Sequence, residues 1–150
     1  MSDVPLDPTP GFLVWRLSMK WRVAVDRALA PLGLTHAQYS LVASLRDMRQ
    51  AGRKPTQREL ADHTGLEALY VSKLARSLEA AGLVERTRDP IDTRAVRLAL
   101  TDHGMELAVQ AIDLAHERFE ALLAPLGGPD ADRTRQFTRE LAQLLEVPVE

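Results

Sequence analysis

There is no cysteine in the 150 residues. That excludes a disulfide framework, a thiolate metal site and a thiol redox sensor. No apolar run approaches the roughly 20 residues that a membrane-spanning helix needs, so no membrane partner is expected. The first ten residues lack a basic stretch followed by an apolar core, so no secretory signal is expected and the cytoplasm is the expected compartment. Aromatics make up only 5% of the chain, which leaves leucine, alanine and valine to build most of the core. Also missing are a glycine-rich phosphate loop, a nucleophile elbow and a zinc-protease helix. Asp113, His116, Glu117 and Glu120 share one helical face, but a solvated face on an acidic helix accounts for them. No enzyme, cofactor or metal site is expected.

What is present is an ordinary globular composition, 45% apolar, with a net charge of −2. That net charge hides an asymmetry. Residues 1–52 carry 6 Lys+Arg against 4 Asp+Glu, residues 53–97 carry 9 against 7, and residues 98–150 carry 4 against 10. The acid lies in the last third, and local potential rather than net charge governs phosphate binding.

Helical spacing of apolar residues predicts a first helix from Gly11 to Ala30, broken by Pro31 and Gly33. Thr35 with Gln38, and Thr56 with Glu59, are capping-box starts for a second and a third helix. The third ends near Thr64, and Gly65-Leu66 makes a turn. A fourth helix runs from about Glu67 to Ala81 and stops at Gly82. Leu83–Arg88 and Ala95–Leu100 read as two short strands, the second alternating with a period of two. A long helix from Asp102 to about Ala124 carries Met105, Ala108, Ile112, Ala115, Phe119 and Leu122 on one side. A final helix, about Ala131 to Leu145, carries Phe137, Leu141, Leu144 and Leu145. The expected fold is mainly α with a small β-hairpin.

The segment Thr56–Gly104 concentrates the function. Ala61 is small enough for two helices to cross closely, Gly65 supplies the turn, and Val71 faces inward with Leu60, Leu74 and Leu78. The outer face of the fourth helix then presents Ala68, Leu69, Tyr70, Ser72, Lys73 and Arg76. Apolar groups can contact thymine methyls, while Ser, Tyr and Lys can hydrogen-bond base edges or phosphates. Thr56, Gln57 and Arg58 could hold phosphates through free backbone amides. The hairpin carries Arg86, Arg88, Arg94 and Arg97 with Asp89 and Asp92 opposing. An arginine at a hairpin tip suits a narrow minor groove, and Asp92 is placed to orient Arg94.

Three motifs make the chain resemble the MarR family of winged-helix transcriptional regulators. They are Leu78-Glu79-Ala80-Ala81-Gly82-Leu83-Val84-Glu85-Arg86, Asp89-Pro90-Ile91-Asp92-Thr93-Arg94-Ala95, and Leu100-Thr101-Asp102-His103-Gly104. The resemblance extends over the whole chain, including Leu34-Thr35-His36-Ala37-Gln38-Tyr39. It implies a winged helix-turn-helix with the fourth helix in the major groove of double-stranded DNA. Leu69, Tyr70, Ser72 and Lys73 become base or phosphate contacts, and Arg94 becomes the minor-groove arginine braced by Asp92. Pro90, which stiffens the wing, and the bulky Leu69-Tyr70 pair depart from the family pattern.

The first, fifth and sixth helices are too apolar for a lone winged-helix module. A two-fold homodimer built from them is expected, and with it a palindromic operator whose half-sites lie about 10 base pairs apart or a small multiple of that. The expected division is a flexible arm over 1–10, a helical dimerisation region over 11–34 and 102–150, and the DNA-binding domain over 35–101. The resemblance implies repression as the commoner mode, and release by a small aromatic or anionic effector. Trp15, Arg16, Met19 and His36 are the candidate effector contacts. The rival reading is a winged helix used only for protein–protein contact.

Overall fold

The computed structural model describes residues 7–149. The expected N-terminal arm therefore lies, for residues 1–6, outside the described residues. The chain folds as two compact units. One combines the chain up to Ala28 with His116 onward, and the other is Leu29–Ala115.

The second unit holds nearly all of the core. Helix α2 (His36–Gln50) and helix α3 (Gln57–Thr64) each start on a complete capping box, with the threonine accepting from the amide three residues on and Gln38 or Glu59 reaching back. Gly65 ends α3 at φ 76 and donates its N–H to the Ala61 carbonyl at 2.9 Å. A side chain there would sit in the left-handed region that only glycine occupies at little strain. Helix α4 (Ala68–Ala80) follows. Its Val71, Leu74, Ala75 and Leu78 are buried, as are Leu60 and Ala61 of α3, so the two helices cross through the small Ala61.

Strands β1 (Val84–Arg88) and β2 (Val96–Leu100) pair antiparallel, Val84 opposite Leu100 and Arg88 opposite Val96. Both are one residue shorter at their starts than the alternation suggests. The segment before α3 pairs with the other edge of β2. Leu98 donates to the Pro55 carbonyl at 2.9 Å, and Thr56 bridges to Arg97. The hairpin is thereby fastened to the start of α3.

Helix α5 (Asp102–Leu123) begins where β2 ends. Thr101 Oγ1 accepts from the Gly104 amide at 3.0 Å and donates to the Gly82 carbonyl at 2.6 Å. Gly104 is buried because the Leu83 carbonyl packs against its Cα, where a Cβ would collide with it. The buried side of α5 is a stripe of small residues, Gly104, Ala108, Ala111 and Ala115. Of the six residues that the sequence assigns to that side, Ala108 and Ala115 are buried, while Met105, Ile112, Phe119 and Leu122 are only half-buried.

The first unit contains helix α1 (Pro10–Leu29, whose last residue belongs to the second unit), the end of α5, and helix α6 (Asp132–Leu145). Thr9 opens α1 by accepting from the Phe12 amide at 3.3 Å, and proline suits the first helical position because its missing donor is not needed there. Trp21 stacks on Phe119 with centroids 5.2 Å apart. Much apolar surface remains open: Phe12, Leu13, Val14 and Trp15 of α1 and Leu144 and Leu145 of α6 are all exposed. Among the described residues no helix is long and apolar enough to cross a membrane, and no cluster of His, Asp and Glu could hold a metal ion. His116 instead pairs with Glu120 at 3.2 Å along the helix surface.

Candidate nucleic-acid interface

One cleft in the second unit brings together the start of α3, the start of α4 and the hairpin tip. Thr56, Gln57, Arg58, Ala68, Asp92 and Arg94 line it, with Glu59, Asp62, Ala95 and Val96. Next to it runs the outer face of α4. Leu69, Tyr70, Lys73 and Arg76 are exposed there and Ser72 is half-buried. Val71, Leu74 and Leu78 point away into the core, so the helical period itself sets which residues remain outside.

The two helices present different ends. In α3 the Thr56 amide turns back to the Glu59 carboxylate at 3.4 Å. Of the three residues expected to offer free amides, Thr56 is therefore already engaged. Gln57 and Arg58, as the first helical residues, have no acceptor within the helix. Helix α4 starts at Glu67 without any side-chain cap, so its first-turn amides stay open beside the cleft and carry the positive end of the helix dipole. The sequence signal was there: Glu67 is not a capping residue type, unlike Thr35 and Thr56.

The hairpin arginines divide into two kinds. Arg94 is 92% exposed in its side chain, and its Nε donates to Asp92 Oδ1 at 3.3 Å. Asp92 also accepts from the Arg94 backbone amide at 3.1 Å, so one carboxylate holds both ends of the residue. Arg88 is exposed at the end of β1. Arg86 and Arg97, by contrast, are built into the fold. Arg86 donates to Gln57 Oε1 at 3.2 Å and pairs with Glu79 at 3.6 Å, which corrects the expectation that only Asp89 and Asp92 oppose the hairpin's positive charge. Arg97 donates from Nε to Asp89 Oδ2 and from Nη1 to the Lys54 carbonyl. It ties hairpin, turn and the segment before α3 together.

Asp89 is the residue that sequence reading undervalued. It is buried at the hairpin turn, where its Oδ1 accepts from the amides of Ile91 and Asp92, each at 2.8 Å. Those amides, Asp92's first and then Ile91's, with the Arg97 guanidinium, hold its carboxyl at about 2. An ordinary aspartate titrates near ~3.9. Because the folded value is the lower one, the stabilisation is fully present above about pH 4 and is lost as pH falls toward 2. An NMR titration of the Asp89 carboxyl should give a midpoint near 2; a midpoint near ~4 would mean that the turn bonds do not form in solution.

The expected effector contacts fall in both units. Trp15, Arg16 and Met19 are exposed on α1. Arg16 lies over the Phe12 ring, 6.0 Å from its centroid, and shares a shallow depression with Leu13, Leu17, Met19, Lys20 and Val23. His36 is the first residue of α2 in the other unit, with its ring stacked on Tyr39.

A helix-turn-helix followed by a hairpin with an exposed arginine at its tip defines a winged-helix protein. The family model described as MarR family matches residues 32–95. The uncharacterized HTH-type transcriptional regulator YdcH of Bacillus subtilis is 34% identical over 138 residues, covering 92% of this chain and 90% of that protein. The chain belongs to the MarR family, and it is a transcriptional regulator. The HTH-type transcriptional repressor Rv2887 of Mycobacterium tuberculosis is 31% identical over 145 residues, 95% of each chain. Among solved structures, CouR of Rhodococcus jostii RHA1 bound to p-coumaroyl-CoA superposes with a TM-score of 0.78 at 26% identity, over 95% of this chain and 96% of that one. The transcriptional repressor CouR bound to a 23-mer DNA duplex gives 0.77 at 29% identity, over 92% and 93%.

Proposed function

We propose that the protein is a sequence-specific DNA-binding repressor that acts as a homodimer on a palindromic operator. The observation that carries this is the shared cleft: the open start of α4, the first turn of α3 and the Asp92–Arg94 wing tip face one surface. In this reading Leu69, Tyr70, Ser72 and Lys73 enter the major groove. Arg94 enters the adjacent minor groove, and Gln57, Arg58, Arg76 and Arg88 meet phosphates. Thr56 and Arg97 hold the first turn of α3 and the wing in place, and Asp92 aims Arg94.

Dimerisation is supported by the first unit. An apolar groove of about 830 Å³ opens between α1, the end of α5 and α6, lined by Leu13, Leu17, Trp21, Phe119, Phe137 and Leu141 among others. A continuous apolar surface of this kind marks an interface, and two-fold pairing covers it on both copies at once. Repression follows the relatives, two of which carry that name. The bound p-coumaroyl-CoA of CouR supports an aromatic, anionic effector here, with Trp15, Arg16 and Met19 in the first unit, and separately His36 in the second, as the expected contacts. Such a ligand releases DNA only by binding better to a state whose reading heads mismatch the operator.

The test is selection of duplexes from a random library by the full chain, with sedimentation of the same preparation. The expected results are a dimer, enrichment of an inverted repeat with half-sites about 10 base pairs apart or a multiple of that, and affinity that falls linearly with salt on logarithmic axes. A monomer, or a library from which nothing enriches at modest ionic strength, overturns the proposal.

A further inference from the structure

Leu69 is a leucine in the wrong place for a soluble surface. It is 79% exposed at the second position of α4, and nothing in its own unit covers it. Its surroundings are not apolar. Lys73 follows one turn later on the same face, Arg76 lies one turn beyond that, and Ala68 beside it lines the cleft that holds Arg94. An exposed apolar side chain with cations one and two turns further along the same helical face suits a polyanion that offers an isolated apolar group.

Duplex DNA offers one such group in its major groove, the C5-methyl of thymine. The first residues of a recognition helix are the ones that reach base edges. Leucine has neither donor nor acceptor, so it can read no other mark there, and it leaves the polar edges of guanine, cytosine and adenine unpaired. We infer that Leu69 is a specificity-determining residue that selects a T·A pair at one position of each half-site by covering the thymine methyl. The inference rests on the DNA-binding reading above and adds which base feature is recognised.

The experiment starts from the duplex pool that the wild-type chain enriches from a random library. That pool is copied with either thymidine or deoxyuridine triphosphate. The uracil duplex pairs identically but has no methyl in its major groove. Burying one methyl corresponds to roughly fourfold in affinity, and one contact in each half-site to roughly 15-fold. Wild type is therefore expected to bind the thymine pool roughly 15-fold more tightly than the uracil pool. Leu69→Ala should bind both pools alike, near the wild-type level for uracil. Lys73→Ala should weaken binding to both pools equally and keep the wild-type ratio between them.

Equal wild-type affinity for the two pools overturns the inference, with no variant needed. So does a Leu69→Ala protein that keeps the full methyl preference. A library from which no sequence enriches overturns the DNA-binding reading and this inference together; enrichment without methyl dependence overturns only the inference.

Discussion

Arg94→Ala is expected to weaken operator binding by at least about 100-fold while the fold, thermal midpoint and oligomeric state stay at wild-type values. The two halves of that expectation come from one observation. The Arg94 side chain is 92% exposed and its side-chain partner in the chain is Asp92, so the folded protein loses only a surface ion pair, worth at most about 1 kcal/mol. On DNA the same guanidinium would sit in a narrow minor groove, where the negative potential is concentrated. Hydrogen bonds to charged groups contribute about 1.5–3 kcal/mol each, and the proposed homodimer would insert two copies. Arg94→Lys keeps the charge but loses the planar fork, so an intermediate affinity is expected. Fluorescence anisotropy at one fixed salt concentration reads all three proteins; unaltered affinity in Arg94→Ala removes the wing tip from the interface.

Much of this site is legible in the sequence because its determinants are local. The two capping boxes depend on residues three apart, the turn at Gly65 on one residue, and the Asp92–Arg94 brace on residues two apart. Each fixes a side chain relative to its own stretch of backbone, so spacing alone shows it. The division of the hairpin arginines is a different matter. Arg97 meets Asp89 across the hairpin and Lys54 43 positions away, and Arg86 meets Gln57 29 positions away. A run of arginines looks uniform until the fold decides which are consumed as struts. Arg94 and Arg88 stay outside because their backbone sits at the tip and at the strand end.

The α5 helix shows the other limit. Periodicity marks which residues share a side but not how closely the neighbours approach. Periodicity picks out Ala108 and Ala115 together with the larger Met105 and Ile112, whereas Gly104 and Ala111 complete the buried line. Small side chains mark close backbone approach, and hydropathy gives them little weight. The apolar faces of α1 and α6 pose a related problem. Their amphipathic pattern is plain, but a single chain leaves Trp15, Leu144 and Leu145 exposed. Intramolecular packing thus does not explain those residues, whereas the proposed pairing of two copies would cover them.

Gly104→Ala is the second large expectation, and here two effects of opposite sign compete. Gly104 lies in the first turn of α5, and alanine is favoured over glycine in a helix by about 1 kcal/mol. Judged on propensity alone, the substitution stabilises. The packing says otherwise. A Cβ at this position would run into the Leu83 carbonyl oxygen, with the carbonyl carbon at 3.0 Å and Leu100 Cδ2 at 3.2 Å. Backbone cannot rotate out of the way as a long side chain can, so α5 must move off the hairpin. That movement strains three hydrogen bonds: Thr101 N–H to the Leu83 carbonyl at 3.0 Å, Thr101 Oγ1 to the Gly82 carbonyl, and the Gly104 amide to Thr101 Oγ1. Overpacking costs about 1–3 kcal/mol or more, and each lost bond about 1 kcal/mol. A net destabilisation of roughly 3 kcal/mol is expected, a fall of roughly 10 °C in thermal midpoint for a chain of this size. Gly11 provides the control, since it is also helical and a Cβ there meets nothing within 4 Å; Gly11→Ala should leave the midpoint unchanged or raise it slightly. If Gly104→Ala melts with Gly11→Ala, the helix propensity has prevailed and the tight seat of α5 against the base of the wing does not exist.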